Sequence, residues 1–518
     1  MTIIGKKLKP SELADYYDVV FIGSGVSTLT CAAILSSLGK RVCILEQHYT
    51  LGGLTHAFKR KQFTWDVGLH YIGEVHNEKS LHYKLFDFIS GGKLRWQSLG
   101  EVTEFVRIGS KSFTLPAGEA HLRAELINKF PKEVKGIDTY LALIKKIFKG
   151  SPLYFINRLL PSPLSSLLSP FMGRSFKKYL DQTADEVLDE LFHDDNLKAL
   201  LCSFYGDYNL PPHLAPFSVH ACVAAHYLEG SSYPVGGSPQ IAQHSLNQIE
   251  KNNGQAFTLA PVESIIIERN KAKGVKLQSG QTIRAEAVVS SCGVNTTFKH
   301  LIKEKLNHHY GFENLKPSTS FFSLYIGLDN DFDKNLLPKE NLWIHPNANL
   351  KENWENQEEL PYYFISFPSR RDPLQVAHHT ISILAMYDYS RLVKWDGTRP
   401  RQRDQEYRDL KAKLSKNCLE ALEKEIPGVT KHIIHSEAAT PLTNKFYSNN
   451  EEGEPYGLAP ARERFLCQDL KPKTKIKNLY LTGVDITMGG VAPAMSAGLL
   501  TALSIAPLAT AKLLHKKL

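Results

Sequence analysis

The sequence contains few cysteines, and they form neither a disulfide framework nor a zinc-binding pattern. The seven cysteines among 518 residues are scattered, odd in number and without any C-x-x-C pair. Several of them lie in apolar segments, which is typical of buried thiols in a reducing compartment. Residues 1–18 also lack the apolar core of a signal peptide. We therefore expect a cytoplasmic protein without a metal site.

The sequence also lacks a concentrated run of basic residues, although its formal net charge is +9. Lysine pairs stand at separate places, namely Lys6-Lys7, Lys145-Lys146, Lys177-Lys178 and Lys516-Lys517. Without a basic stripe or a nucleic-acid-binding module, we expect no nucleic-acid partner. An anionic membrane surface is one partner that such clusters fit, and a plain soluble basic surface is the other interpretation.

No long apolar segment of the chain is free of interruptions. Residues 141–180 are apolar and basic without any acid, but prolines 152, 161, 163 and 170 divide them, which excludes one spanning helix. They predict either short helices on a membrane interface or a helical lid over the core. Prolines and glycines also interrupt the uncharged residues 486–511, which favours a helix that packs on a cofactor. We expect peripheral membrane contact on the cytoplasmic face, through 141–180 and 503–518.

The N-terminal segment has the pattern of a dinucleotide-binding β-α-β unit. Residues 18–22 predict a buried strand, 26–38 a helix and 41–45 a second strand. The turn and the start of the helix read Gly23-Ser24-Gly25-Val26-Ser27-Thr28. Gly23 permits the tight turn, and Gly25 lets a pyrophosphate approach the backbone at the helix N-terminus.

Glu46 ends the second predicted strand, about twenty residues after the glycines. A carboxylate at this position accepts hydrogen bonds from the adenosine ribose and disfavours the 2′-phosphate of NADP as the bound dinucleotide. The other interpretation of Glu46 is a plain residue at the end of a strand. Thr28 replaces the third glycine of the usual motif, and a slightly wider approach of helix and strand would accommodate it.

Further motifs extend over almost the whole chain. They are Leu45-Glu46-Gln47-His48, Gly52-Gly53-Leu54, Phe63-x-x-Asp66-Val67-Gly68-Leu69-His70-Tyr71-Ile72-Gly73, Tyr233-Pro234-x-Gly236-Gly237, Ile365-Ser366-Phe367-Pro368-Ser369 with Asp372-Pro373, Thr440-Pro441-Leu442-Thr443 with Tyr456-Gly457, and Leu479-Tyr480-Leu481-Thr482-Gly483-Val484-Asp485. Together they resemble the FAD-dependent phytoene desaturase and carotenoid isomerase superfamily, most closely its retinol saturase branch. Leu54 stands where bacterial phytoene desaturases usually carry arginine, which favours reduction or isomerisation over desaturation. The tip 487–490 departs from the saturase branch, so it does not identify the substrate.

This resemblance implies an α/β fold in which a Rossmann-like FAD-binding domain, of the amine-oxidase and GDI type, is interleaved with an α+β substrate domain. Residues 1–90, 231–300 and 436–518 would form the FAD-binding domain. Residues 91–230 would form a helical, substrate- and membrane-facing region. Residues 301–435 would supply the sheet and helices of the substrate domain.

The resemblance also implies a set of FAD-binding residues. The candidates are Gly23, Ser24, Gly25, Val26, Ser27, Thr28, Glu46, Gln47, Gly52, Gly53, Leu54, Asp66, Gly68, His70, Val262, Gly483, Asp485, Gly490 and Val491. Within this set, the backbone of the strand with Val262 would contact adenine. Asp485 would lie near the ribityl chain, and the turn before Val491 would open a helix toward the flavin ring.

The activity that the resemblance implies is saturation of a C=C bond in an apolar polyene, a retinoid or carotenoid-like molecule, by hydride from reduced flavin. NAD(P)H is a candidate external electron donor. Saturation also needs a proton, for which His70 and Tyr71 are the first candidates and Tyr205 and Asp207 weaker ones. His70 has a second interpretation, a structural histidine that orients the chain around the pyrophosphate.

Three other functions stay open at the level of the sequence. Within enzymes, they are a carotenoid desaturase or isomerase and an amine oxidase. From another class, a GDI-like protein would share the architecture but bind a lipid and a prenylated GTPase without flavin. The sequence has no Ser-His-Asp set or P-loop that would point elsewhere, and bound flavin is the observation that separates the enzymes from the lipid-binding protein.

Overall fold

The computed structural model describes residues 3–305, 309–356, 358–375 and 377–517. Residues 1, 2, 306–308, 357, 376 and 518 belong to the segments predicted above and lie outside the described residues. The division of the chain into the five predicted segments stays a prediction.

The described residues form strands and helices in a mixed order. The strands are β1 Lys6–Lys7, β2 Tyr16–Ile22, β3 Val42–Leu45, β4 Ala57–Arg60, β5 Phe63–Asp66, β6 Ile72–Gly73, β7 Trp96–Ser98, β8 Val102–Ile108, β9 Lys111–Pro116, β10 Ser231–Pro234, β11 Gln255–Thr258, β12 Val262–Glu268, β13 Lys271–Leu277, β14 Thr282–Ser290, β15 Ser320–Leu328, β16 Asn341–His345, β17 Tyr363–Ser366, β18 Thr380–Tyr387, β19 Ile433–Ala439 and β20 Leu479–Leu481. The α-helices are α1 Val26–Ser37, α2 Leu81–Ser90, α3 Glu119–Lys129, α4 Val134–Asn157, α5 Ser162–Leu168, α6 Arg174–Lys178, α7 Ala184–Leu191, α8 Asp195–Cys202, α9 Phe217–Tyr227, α10 Pro239–Lys251, α11 Leu350–Glu355, α12 Pro368–Arg371, α13 Gln405–Glu425, α14 Pro441–Ser448, α15 Arg462–Leu466, α16 Val491–Ile505 and α17 Pro507–Lys517.

The first sheet has the strand order β1-β11-β3-β2-β14-β13-β12, with β20 paired to β14. The pairs from β1 through β14, and the pair of β14 with β20, are parallel, whereas β12 and β13 are antiparallel additions at one side. The apolar run that ends β2 is buried on both faces of the sheet, as parallel strands usually are. The predicted strand-helix-strand unit is confirmed as β2, α1 and β3.

The register of this sheet brings four strand ends together. Ile22 at the end of β2 pairs with Leu45 at the end of β3 and with Ser290 at the end of β14, and Ser290 pairs with Leu481 at the end of β20. Ligands of parallel α/β sheets bind beyond the carboxyl ends of the strands. The glycine turn after β2, Glu46 after β3 and the motif after β20 therefore meet at one edge.

The second sheet has the order β19-β15-β18-β17-β16-β8-β9. Its two last strands come from residues 102–116, within the segment that was predicted to be helical, so that expectation is corrected for these residues. Residues 104, 106 and 108 are buried in alternation, and a two-residue turn with Gly109 at φ 58° joins β8 to β9. Both features are signals of a hairpin rather than of helices.

Pro152 does not end a helix, which corrects the expectation that it divides residues 141–180. It lies inside α4, where it cannot bond to the carbonyl of Phe148. The Ser151 hydroxyl donates to that carbonyl at 2.9 Å instead, so the free acceptor is satisfied and the helix continues. Pro161 and Pro170 do stand between helices, at the start of α5 and before α6.

The helices α1 and α16 pack closely, which joins the first and last parts of the chain. A Cβ atom on Gly498 would lie 2.3 Å from the Ser27 carbonyl oxygen and 2.9 Å from Thr30 Cβ. Even the single methyl group of alanine does not fit between the helices at this point. Gly498 thereby fixes the distance from α16 to the first turn of α1.

We predict that Gly498→Ala destabilises the protein by about 1–3 kcal/mol, because backbone rather than a mobile side chain opposes the new methyl group. Thermal and denaturant unfolding measure this change.

The control is Gly150→Ala in α4, where the nearest atom to a new Cβ is the hydroxyl of Ser175, a side chain that can rotate. Removing a helical glycine there gives a stability equal to or above the wild type. Equal stabilities of both variants would contradict the proposed constraint at Gly498.

Candidate functional site

The glycine turn after β2 forms an open cradle at the start of α1. Gly23 has φ 89°, and a Cβ there would lie 2.5 Å from Ser291 Oγ, so only glycine fits. A Cβ on Gly25 would meet no atom within 4 Å, which shows free space directly above the turn. No side chain caps α1, so the N–H groups of its first turn, from Val26 onward, lack intrahelical partners. This arrangement suits a phosphate group.

Glu46 ties the glycine turn to the segment after β3. One carboxylate oxygen accepts hydrogen bonds from the Ser24 amide at 3.0 Å and the Ser24 hydroxyl at 2.6 Å, and the other accepts from the His48 amide at 2.8 Å. The side chain is buried, yet its lone pairs can accept more than these bonds. The Ala260 amide donates to the Glu46 carbonyl at 2.8 Å, which brings the start of β12 at Val262 next to it, whereas Gln47 is exposed.

The paired glycines pack directly on the glycine turn. Gly52 and Gly53 have φ of 116° and 55°, and a Cβ on Gly53 would lie 3.0 Å from Gly25 Cα. The Ser24 hydroxyl accepts from the Gly52 amide at 3.0 Å. Leu54 follows, and a Cβ on Gly68 would lie 3.2 Å from Leu54 Cβ. Both glycine motifs and Gly68 thus form one compact group around the cradle.

Two buried hydroxyls at this site have no hydrogen-bond partner in the described part of the chain. They belong to Thr28 in the first turn of α1 and to Thr482 at the end of β20. Buried polar groups normally have partners, so unpaired ones within the same motifs as the open cradle at Gly25 fit a site that a polar ligand completes.

Asp66 holds a turn rather than standing free. Its carboxylate accepts from the Tyr233 hydroxyl, from the Ser238 amide at 3.1 Å and from the Ser238 hydroxyl at 2.5 Å. Burial raises the pKa of Asp66, and these donors oppose the rise. The acid fixes the start of α10 against the strand that leads to His70, and a direct role toward FAD stays a prediction.

The motif after β20 returns to the first turn of α1. Gly483 has φ 103°, and a Cβ on it would lie 3.7 Å from Ser27 Oγ. The Asp485 carboxylate accepts from the Val294 amide at 2.9 Å and from the Leu458 amide at 2.8 Å. Asp485 therefore joins three separate segments at the ligand edge of the sheet.

A buried arginine clamps the same loop. Arg464 donates to the carbonyls of Leu458 and Val484, and to that of Thr487 at 3.4 Å. The loop then ends at Gly490, with φ 105°, and α16 begins at Val491 without a side-chain cap. A second helix N-terminus with free N–H groups thus lies in the site.

His70 lies in an environment that excludes the imidazolium form. Its ring meets Phe364 edge-on with a centroid distance of 5.4 Å, and neither ring nitrogen has a hydrogen-bond partner among the described residues. Burial, followed by the charge of Arg371, lowers the pKa of His70 to about 3. Arg371 also donates to the His70 carbonyl at 3.1 Å, which fixes the backbone. A neutral imidazole near pH 7 does not fit the expected general-acid role, which stays an untested prediction.

Tyr71 is brought together with Asp207, one of the weaker sequence candidates. The Tyr71 hydroxyl donates to an Asp207 carboxylate oxygen at 2.5 Å. Burial raises the pKa of Asp207 to about 7, and the hydrogen bond from Tyr71 opposes the rise. Tyr205, the other weaker candidate, is fully buried on the same turn, and its hydroxyl has no partner in the described ranges.

Aromatic side chains surround this pair. The Tyr71 ring stacks on Tyr227 at a centroid distance of 4.6 Å, and it lies 6.0 Å from Phe364. A Cβ on Gly489, in the loop before α16, would lie 2.9 Å from the ring of Tyr456. The region is therefore aromatic and apolar where it borders that loop. Tyr456 belongs to one of the sequence motifs, but neither its role nor that of Tyr227 was predictable, because single aromatic residues have no distinctive pattern.

Comparisons with known proteins agree with this architecture. The family described as "Flavin containing amine oxidoreductase" matches residues 27–506. The all-trans-retinol 13,14-reductase of Danio rerio is 32% identical over 94% of this chain and 86% of that protein. Prolycopene isomerase 2, chloroplastic, of an Oncidium hybrid cultivar is 26% identical over 92% of this chain and 82% of that protein.

Solved structures confirm the predicted fold class. The cyclohexylamine oxidase of Brevibacterium oxydans IH-35A superimposes with a TM-score of 0.63 at 14% identity, over 96% of this chain and 99% of that one. Such a likeness concerns the fold alone, and that fold is the amine-oxidase-like α/β architecture expected from the sequence.

We predict that Gly25→Val lowers flavin binding by about tenfold or more, because its side chain would fill the cradle where a phosphate approaches. The stability of the flavin-free protein should stay within about 0.5 kcal/mol of the wild type, since a Cβ there meets no protein atom. Flavin absorbance per protein and the unfolding of the stripped protein measure the two effects.

The control is Ser37→Val at the opposite end of α1, where the side chain is exposed. Its flavin content should equal that of the wild type. Full flavin occupancy in Gly25→Val would show that the cofactor phosphates bind elsewhere.

Proposed function

The chain belongs to the flavin-containing amine oxidoreductase family, and from this premise we propose that it saturates a C=C bond of an apolar polyene of the retinoid or carotenoid class. The enzyme is an FAD-dependent oxidoreductase. The observation that carries the substrate proposal is that relatives along nearly the whole chain are named for the reduction of retinol and for the isomerisation of prolycopene, both polyenes.

The residues at the edge of the first sheet fit FAD. We propose that residues 23–28 hold the pyrophosphate through backbone N–H groups, and that Glu46 receives the ribose hydroxyls on its remaining lone pairs. The buried hydroxyls of Thr28 and Thr482, which have no partner among the described residues, are further polar groups that we assign to the same ligand site. Bound FAD supplies hydride transfer, which no side chain of the protein can perform.

The aromatic region beside Tyr71 suits an apolar substrate. Tyr71, Trp343, Tyr362, Phe364 and Met488 belong to one buried apolar cluster, and the loop with Met488 leads to α16. Side chains of this kind bury a conjugated chain and exclude water from it. We propose that the polyene enters here, with the bond to be reduced near the C-terminal loop.

The alternatives differ in what they require of the site. A desaturase or isomerase would use the same aromatic region, and Leu54 in place of arginine favours reduction or isomerisation. A lipid-binding protein of the GDI type would need no flavin, whereas the free space above Gly25 and the unpaired hydroxyls support a bound cofactor. For the reduction, NAD(P)H is the external electron donor that we propose.

The function is tested by the absorption spectrum of the purified protein and its anaerobic redox chemistry. We expect flavin bands that are bleached by NADPH or dithionite and that return on addition of all-trans-retinol or a carotenoid. The product should carry two more hydrogen atoms than the substrate by mass spectrometry. Bleaching of the oxidised flavin by a primary amine, or return of the bands with oxygen alone, together with no response to either polyene, would refute the substrate class. A colourless protein that cannot be reconstituted with FAD would refute the flavin site.

We further propose that the enzyme binds an anionic membrane surface on its cytoplasmic side, from which a polyene could be drawn. Among the described residues, no helix is both long and apolar enough to cross a membrane. The docking surface consists of exposed apolar and basic side chains of α5, α6 and their connection. They are Leu164, Leu167, Phe171, Arg174 and Lys178, and the half-buried Lys177 lies among them.

This docking surface combines the two attractions that an interfacial helix needs. Leu167 and Phe171 are 69% and 77% exposed, although both are large apolar side chains. The basic residues line a shallow groove of about 390 Å³ next to them. Apolar side chains would enter the interface while the basic ones meet lipid phosphates.

We predict that replacing Leu167 and Phe171 together by serine lowers binding to phosphatidylserine-containing vesicles by at least about tenfold, since the apolar burial is lost. Co-sedimentation with vesicles measures it, and neutral phosphatidylcholine vesicles should bind more weakly.

The matched control replaces Leu336 and Leu374, which are 60% and 69% exposed outside the docking surface, by serine. This double variant should bind like the wild type. If both double variants bind equally, the docking surface lies elsewhere on the protein.

A further inference from the structure

The reduction proposed above needs a proton as well as a hydride, and His70 does not fit the role of its source. Its ring nitrogens have no described partner that could resupply a proton, and the neutral form prevails near pH 7 because of burial and Arg371. A neutral imidazole holds its one N–H proton far more tightly than an imidazolium would. Tyr71, the other first candidate from the sequence, does have such a partner, Asp207.

The pair of Tyr71 and Asp207 joins a group in the aromatic region to an acid behind it. The two residues are 136 positions apart in sequence, and their oxygen atoms lie 2.5 Å from each other. Asp207 is partly exposed, whereas Tyr71 is only 7% exposed. The tyrosine thus stands within the apolar region, and the acid is the more accessible residue of the pair.

The pair lies near the loop that precedes α16. Tyr71 stacks on Tyr227 of α9, and the charge of Asp207 is among the causes that raise the pKa of both Tyr227 and Tyr456, after burial. Tyr456 in turn packs against Gly489, directly before the start of α16 at Val491. The pair is therefore close to the end of the site where FAD-binding residues are expected from the C-terminal motif.

Glu104 is the other buried acid of this region, and its hydrogen bonds indicate a structural role rather than proton transfer. Its two oxygens accept from Asn341 Nδ2 at 3.0 Å and from Trp343 Nε1 at 2.9 Å. Arg371 donates to Asn341 Oδ1 at 2.6 Å and to the His70 carbonyl at 3.1 Å. This network holds the backbone before Tyr71 in place, and Glu104 has no hydroxyl to which it could pass a proton.

We propose that Tyr71 delivers the proton for polyene reduction and that Asp207 replaces it through their hydrogen bond. This inference rests on the proposed function. One carbon of the C=C bond receives hydride, with its electron pair, from the reduced flavin, which is oxidised. The other carbon forms a C–H bond with the Tyr71 hydroxyl proton while the Asp207 carboxyl proton moves to the Tyr71 oxygen. Asp207 ends as a carboxylate and regains a proton from water.

The environment of Asp207 keeps a share of the acid form available near neutral pH. Tyr71, Glu104, Tyr227, Tyr362 and Tyr456 are the titratable groups that interact electrostatically with it from the elements around it. Burial raises the pKa of Asp207 to about 7, and burial also raises that of Tyr71. Tyr71 therefore stays protonated as a hydroxyl, and Asp207 is the member of the pair that titrates.

The first measurement needs no variant. Flavin is reduced anaerobically, and its reoxidation by retinol or another accepted polyene is followed from pH 5 to 9 in H₂O and in D₂O. Because the acid form of Asp207 is required, we expect the rate to be full at low pH and to fall as the pH rises through about 7. Because an exchangeable proton is transferred in this step, we also expect the reaction to be slower in D₂O than in H₂O. A rate without pH dependence and without a solvent isotope effect would overturn the proposal.

Variants of Tyr71 and Asp207 then test whether this pair causes the pH dependence of the reoxidation rate. Asp207→Asn and Tyr71→Phe should lower the rate with the polyene by about 10²- to 10⁴-fold, and Asp207→Asn should abolish the fall near pH 7. Tyr208→Phe is the control, since that ring packs beside Phe204 and His220 rather than with the pair, and its profile should equal the wild type. Reoxidation by ferricyanide, which requires no proton on carbon, reports whether each variant retains a working flavin.

The outcomes separate this inference from the proposed function. If Asp207→Asn keeps the wild-type pH profile with the polyene, another acid supplies the proton and the inference is wrong. If the wild type holds flavin that ferricyanide reoxidises but no polyene does, the proposed function is wrong and the inference fails with it. Loss of the pH dependence in Asp207→Asn, with ferricyanide reoxidation retained, supports both.

Discussion

The contact between α1 and α16 is the constraint on which the rest of the structure depends. It allows no side chain at Gly498, because the helix surface there is the Ser27 carbonyl itself. Two helices with uncapped N-termini are thereby fixed side by side at the carboxyl edge of one parallel sheet. The second sheet is built from segments that follow β3 and β14, the two strands that end at this edge beside β2. The site is consequently made from both ends of the chain.

Three buried acids maintain this geometry by joining segments that are distant in sequence. Glu46 holds the glycine turn, Asp66 holds the turn before α10, and Asp485 holds the backbone near Val294 and Leu458. Burying a carboxylate is unfavourable unless donors replace its water, and backbone amides do so in each case. Residues that resemble cofactor ligands in the sequence are thus also structural ties, and a substitution there would affect both roles.

The sequence predicted best those features that depend on neighbouring residues. The unit of β2, α1 and β3 was located to within two residues, since its apolar strands, glycine turn and buried helix follow one another directly. The prediction was wrong at β8 and β9, because the alternation of buried and exposed side chains was overlooked within a stretch of helical patterns. It was also wrong at Pro152, where the Ser151 hydroxyl replaces the N–H donor that proline lacks. The hydrogen bond from Tyr71 to Asp207 and the environment of His70 could not be predicted from the sequence, because both arise from tertiary packing.

Backbone groups and side chains have different roles in this site, which explains how it can bind a charged cofactor and still exclude water from the substrate. The edge of the first sheet offers backbone N–H groups to a charged cofactor, so few charged side chains are needed there. The aromatic region beside the C-terminal loop can then consist mainly of aromatic side chains, with its acids Asp207 and Glu104 held in hydrogen bonds. Such a region suits a polyene and keeps water from a reactive hydride. In such a region a proton cannot come from bulk solvent directly. An acid linked to a buried hydroxyl, as Asp207 is to Tyr71, lets a proton reach carbon without admitting water to the aromatic region.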